Sequence, residues 1–232
     1  MTGFLGPAEW EAVRLSLKVA LWATAASLPF AVFVAYALAR WRFPGRQLLN
    51  ALVHMPLILP PVATGYLLLV LFGAQGPLGM AFEKTLGLSF AFRWTGAALA
   101  AAIMAFPLTV RAIRLSIEAV DPKLEDAAGT LGANRPWVFC LVTLPLILPG
   151  ILAGVVLGFA KAMGEFGATI TFVSNIPGET RTMPTAIYTF LQVPGGEGSA
   201  LRLVAVAVIV ALGAVFISEI VAQRVADRIR GK

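Results

Sequence analysis

The chain has 232 residues, of which 59% are hydrophobic and 13% charged, and its mean hydropathy is +0.85. An ordinary soluble domain carries roughly 45–50% apolar and 25% charged residues, so this composition excludes a soluble domain around one core. The net charge of +6 does not mark a nucleic-acid surface, because Lys and Arg sit in short connections and at the tail; the single Cys140 excludes a disulfide framework or thiolate metal site within one chain.

Charge placement divides the chain into spans. Val19 to Ala39 carries no charge, and a first span is expected over 13–39, with Pro29 tolerated inside it. Glu9 and Glu11 precede it and no basic n-region is present, so it reads as a retained span and not a cleavable leader. The connection Arg40-Trp41-Arg42-Phe43-Pro44-Gly45-Arg46 holds three arginines and no acid. A second span follows over 48–72, where Met55-Pro56 through Pro60-Pro61 should break or bend its start. His54, the only histidine, reads as a packed residue and not as a metal ligand or proton relay. Further spans are expected over 94–120, 137–163 and 201–223, the fourth drawing on an uncharged run from Pro136 to Ala160. Each is near the length of about 20 residues needed to cross a hydrocarbon layer of ~30 Å, and only helices satisfy their amides there.

The expected fold class is therefore an all-α integral membrane protein of about five transmembrane helices. Six are reached if 182–193 crosses, but that run is short and bounded by Pro184 and Pro194, so it reads as a re-entrant or gate-forming helix within an external segment, 164–200. Basic residues accumulate at 40–46, around Arg111, Arg114, Lys123 and Arg135, and in the tail at Arg224, Arg228, Arg230 and Lys232. If these share the cytoplasmic side, the N-terminus is outside and the C-terminus inside. Five spans without an internal repeat hardly enclose a pathway alone, and a twofold homodimer would supply ten. The whole of 1–232 reads as one transmembrane domain.

Residues 121–136 are more than a loop. Asp121 can cap a helix with Pro122 in its first turn and Glu125 and Asp126 beside it, and Gly132 suits a left-handed stop, giving a short helix over 122–132. On composition this is either a solvated turn or a docking helix with two carboxylates as its polar handle. The stretch resembles the signature of binding-protein-dependent ABC importer permeases: Glu-Ala-Ala, three residues, Gly, nine residues, Ile, one residue, Leu-Pro. Asp126-Ala127-Ala128, Gly132, Val142 and Leu144-Pro145 stand at those positions, with Glu125 one place earlier and Gly129 where a basic residue is common. The resemblance implies the type I importer permease fold, in which this segment is a coupling helix seated in a separate cytoplasmic ATPase. It implies an ATPase dimer and an external, periplasmic binding protein as partners, in a bacterial inner membrane. The chain holds no Gly-x-x-x-x-Gly-Lys-Ser/Thr loop, so ATP and Mg are expected on the partner ATPase, no cofactor on this chain, and no enzymatic activity in it.

Residues 158–188 mix glycines, hydroxyls and isolated charges. Lys161 and Glu165 stand one helical turn apart and can pair, as a structural tie or as part of a path. Gly164-Glu165-Phe166-Gly167, followed by Asn175-Ile176-Pro177-Gly178-Glu179-Thr180, is similar to permeases of the molybdate, tungstate and sulfate group, and His54 to Tyr66 is closer to the molybdate branch. The likeness implies molybdate as cargo, with sulfate or tungstate as alternatives, and marks Gly164, Glu165, Phe166, Gly167, Asn175, Pro177 and Gly178 as candidate path or gate residues. A self-contained carrier or channel is the competing class. A membrane enzyme lacks any credible nucleophile or metal constellation here.

Overall fold

A computed structural model describes residues 4–229, and every regular element within them is helical. The order is α1 Pro7–Arg40, α2 Arg46–Ile58, α3 Pro61–Phe72, α4 Pro77–Leu86, α5 Trp94–Ala119, α6 Pro122–Thr130, α7 Arg135–Val138, a π-helical turn Phe139–Thr143, α8 Leu144–Met163, α9 Gly167–Val173, α10 Met183–Leu191 and α11 Glu197–Ile229. Arg230 and Lys232 of the basic tail lie outside the described residues. Several helices begin on proline: α1, α3, α4 and α6 open on Pro7, Pro61, Pro77 and Pro122, the last as expected. The missing amide proton costs nothing there, because the first-turn N–H groups have no helical acceptor.

Four helical stretches are long and apolar enough to cross a membrane: Pro7–Arg40, Trp94–Ala119, Arg135–Met163 and Glu197–Ile217. A fifth is the pair α2 and α3, and here a straight helix over 48–72 is replaced by two half-helices meeting at 115°. Leu59 and Pro60 are extended between them, as expected where Pro60 disfavours helical backbone at the preceding residue and Pro60-Pro61 remove two donors. α10 has nine residues, about 13 Å at 1.5 Å per residue. It is too short to cross and is lodged inside the protein, with Met183, Thr185 and Ala186 buried. α4, in the stretch read only as a connection, packs Phe82 against Phe72 and Phe90.

α1, α5 and α8 form the centre. Their contacts are made by small side chains in one half of the core, Ala20, Ala23, Ala97, Ala100 and Ala101, and by larger branched ones in the other, Leu38, Val110, Ile113 and Ile147. On α8, Gly150, Gly154 and Gly158 recur every fourth residue, and a Cβ on any of them would press on Ser116, Ile113 or Thr109 of α5. Small residues at this spacing let helices approach closely where no hydrophobic force draws them together. Outward faces are apolar: α11 exposes Leu201, Ile209, Leu212 and Phe216, as suits a lipid surround.

The first and last helices are tied by charge near the starts of both. Glu9, 2% exposed, accepts the Gly6 amide at 2.6 Å, and its Oε1 lies 2.6 Å from Arg202 Nη2 on α11. Ser16 on α1 accepts the Met183 amide at 2.6 Å and holds the start of α10. Arg202→Ala leaves Glu9 buried without its cation. A charge-assisted hydrogen bond contributes about 1.5–3 kcal/mol, so this variant should unfold at lower temperature in detergent, and Glu9→Gln/Arg202→Gln should lose less than the single change.

Candidate functional site

The surface helix α6 is built by its own sequence. The Asp121 carboxylate accepts the Lys123 amide at 3.0 Å and caps the N-terminus, and Pro122 takes the first position. At the other end Gly132 adopts φ +90°, with Gly132 N–H donating to Gly129 O at 3.0 Å and Ala133 N–H to Ala128 O at 3.2 Å. That is a Schellman stop, and it needs a residue without a Cβ penalty in the left-handed region. The helix therefore ends at Thr130, two residues before Gly132. None of its residues is buried; Leu124, Asp126 and Ala127 are exposed, and Leu131 is 89% exposed.

The adjacent carboxylates have separate roles. Glu125 turns inward: its Oε2 lies 3.2 Å from Arg40 Nε at the end of α1, and its Oε1 accepts the Thr143 hydroxyl at 2.7 Å. Arg40 Nη2 in turn donates to Val120 O at 2.9 Å. Asp126 faces outward and is free for another body. Arg40 and Thr143 were not singled out by sequence reasoning, since Arg40 is 85 residues from Glu125 and reads as a topology charge. Thr143 lies in the π-helical turn, where Leu144 N–H reaches back to Phe139 O. The wider turn accommodates Pro145, which has no amide hydrogen to donate. Leu144 and Pro145 thus begin α8 directly behind the surface helix.

The second set of residues lies at the far end of α8, whose 20 residues put it about 30 Å away; the two sets are not brought together. Glu165, 3% exposed, meets Lys161 Nζ at 3.0 Å and accepts the Ala168 amide at 3.0 Å. It thereby caps α9 after the break at Gly164–Phe166. Phe166 stacks on Tyr188 with ring centres 5.2 Å apart. Asn175 donates to Thr189 Oγ1 at 2.7 Å and accepts from Arg181 Nε at 3.1 Å. Pro177 and Gly178, the latter at φ +79°, form a turn closed by Thr180 and Arg181 amides on Ile176 O. Glu165 and Asn175 spend their polar atoms on partners within the protein, both side chain and backbone, and are not an array of free anion ligands.

Two motifs that are far apart in sequence meet here. The broken end of α3 packs against α9: a Cβ on Gly65 would sit 2.6 Å from Ala168 O, and one on Gly167 would sit 2.7 Å from Pro61 Cβ. Gly65→Val should force α3 and α9 apart, at about 1–3 kcal/mol for overpacking, and lower the unfolding temperature in detergent. Gly129→Ala, at a position with nothing within 4 Å, should not.

Comparison with known proteins places this architecture. The family model described as binding-protein-dependent transport system inner membrane component matches residues 27–231. The molybdenum transport system permease protein ModB of Escherichia coli (strain K12) is 58% identical over 93% of this chain and 94% of its own length. The corresponding protein of Haemophilus influenzae is 53% identical over 95% and 96%. The sulfate transport system permease protein CysT of Escherichia coli (strain K12) is 37% identical over 80% and 67%. Among solved structures, a bacterial alginate ABC transporter in complex with an alginate pentasaccharide-bound periplasmic protein superimposes with a TM-score of 0.73 at 18% identity, over 96% of this chain and 81% of that one. The inward-facing MetNI methionine ABC transporter does so at 0.69 and 13%, over 97% and 99%. At such low identity the structures report the fold, and the sequences report the family: the chain belongs to the inner membrane components of binding-protein-dependent transport systems.

Proposed function

We propose that this chain is the membrane-spanning permease of an ATP-driven importer that moves molybdate delivered by an external binding protein. The observation that carries the cargo is the 58% identity with a molybdenum permease across nearly the full length of both chains. The machine is supported by α6, a capped helix with no buried residue that offers Asp126, Leu124 and Leu131 to a second body. That body is a cytoplasmic ATPase dimer, which holds the ATP and Mg, since this chain's sequence has no phosphate loop. Two copies of the chain enclose the path. The arginine-rich ends of α1 and α5 and the basic tail face the cytoplasm, with the N-terminus outside.

The mechanism is a two-state motion biased by nucleotide. Closure of the ATPases moves α6. Glu125 passes that displacement through Arg40 to α1 and through Thr143 to the base of α8, and α8 carries it to α9 and the paired half-helix α3. The external segment then opens or shuts without binding the ion tightly. No basic cluster lines it, and a deep anion trap on the path would slow release, so selection rests with the delivering protein.

Asp126→Lys should leave membrane insertion and unfolding temperature unchanged. A like-charge contact at an interface costs several kcal/mol, so ATP-driven uptake should fall by at least about tenfold; undiminished uptake would overturn the docking assignment. Glu125→Gln should lower both uptake and thermal stability, because it removes the internal tie. The direct test is uptake of labelled molybdate in proteoliposomes holding the chain, its ATPase and external binding protein. ATP-dependent uptake that resists excess sulfate is expected. Suppression by sulfate would transfer the cargo to the branch of the 37% identical relative, and uptake without ATPase would revive a self-contained carrier.

A further inference from the structure

A groove runs along the outside of α1 where it meets α6 and α7. Its volume is about 1100 Å³; one wall runs from Pro29, Val32 and Phe33 within the first span to Tyr36, Arg40 and Trp41, and the facing wall carries Glu125, Asp126 and Arg135, so an anion is favoured only at the arginine end. From Pro29 to Trp41 is twelve residues, about 18 Å along the helix, so the floor is apolar over the depth of one leaflet. A second hollow of about 780 Å³ adjoins it, sharing Phe33, Arg40, Trp41 and Arg135 and adding Arg42, with no carboxylate in its lining. Trp41 packs edge-on against Phe33 and Tyr36, with ring centres 5.6 and 6.2 Å away, at the level where aromatic residues mark the membrane interface. Arg40 is committed to Glu125. Arg42 and Arg135 are exposed and form no ion pair among the described residues.

We propose that this groove and hollow form a binding site for one anionic phospholipid, with an acyl chain along Pro29, Val32 and Phe33 and the headgroup phosphate between Arg42 and Arg135. The chemistry selects this occupant over others. A soluble anion would use the arginines but leave the apolar floor unfilled at hydrocarbon depth. A cytoplasmic protein could cover the arginines but could not reach Pro29. Only an amphiphile matches both ends, and basic pockets at the cytoplasmic ends of spans suit anionic headgroups. The bound lipid would lie beside the Arg40–Glu125 pair, against the joint between α1 and the surface helix. The inference rests on α1 crossing the membrane and is independent of which ion is carried.

The test uses the full chain purified in detergent, titrated with phosphatidylglycerol or phosphatidylcholine and read by native mass spectrometry. One phosphatidylglycerol per chain should be retained, about tenfold or more over phosphatidylcholine, as two basic contacts imply. Arg42→Gln/Arg135→Gln should abolish the preference. Lys84→Gln/Arg93→Gln, which removes the same charge elsewhere, should keep it. Phe33→Trp, which fills the apolar part and preserves the arginines, should weaken retention with the helix content intact. Equal retention of both lipids by the native chain, or equal loss in the Lys84/Arg93 variant, would overturn the site. So would displacement of the lipid when the ATPase is added, which would give the groove to protein. Uptake is read separately, so failure here would not bear on transport.

Discussion

Within a hydrocarbon layer a backbone amide has no water to bond, and most of this architecture follows from keeping such groups paired. Unbroken helices do so by themselves. The two interruptions, at Leu59–Pro60 and at Gly164–Phe166, do not; the second is packed within the protein, and at the first the two prolines have no amide proton to leave unpaired. Gly65 and Gly167 bring the ends of α3 and α9 into backbone contact, and Glu165 supplies an acceptor to the Ala168 amide. Glu165 and Gly167, candidate gate residues in the sequence, also help irregular backbone survive at depth.

The same economy governs charge. An ionised group inside the bundle is costly unless paired, and those that are buried have partners: Glu165 with Lys161, Glu9 with Arg202. Unpaired arginines collect at the ends, where Arg42 and Arg135 flank the base of α1 and the surface helix. Placement of charge therefore pairs what is buried and leaves a basic rim beside the surface helix α6.

The two ends of the molecule are joined by α8. Its base holds Thr143 in a π-helical turn bonded to Glu125, its middle lies in close contact with α5 through Gly150, Gly154 and Gly158, and its far end delivers Glu165 to α9. A closely packed helix of this length transmits a displacement as a body and does not absorb it. That continuity joins the surface helix α6 to a segment about 30 Å away, as the proposed coupling requires.

The sequence by itself determined the membrane character, four of the five expected spans as long helices and the surface helix with its cap and stop, because those depend on composition and on contacts within a few residues. It also marked Lys161 and Glu165 as partners, one turn apart. Only the tertiary structure decided that the second span is two half-helices at 115°, since proline spacing shows where a helix breaks but not the angle at which its halves find packing. Only the structure separated Glu125 from Asp126, because Arg40 and Thr143 approach Glu125 from elements distant along the chain. The glycine stripe of α8 and the meeting of Gly65 with Ala168 were present in the letters, but a glycine in a sequence does not say what lies opposite it. That is decided when the helices pack.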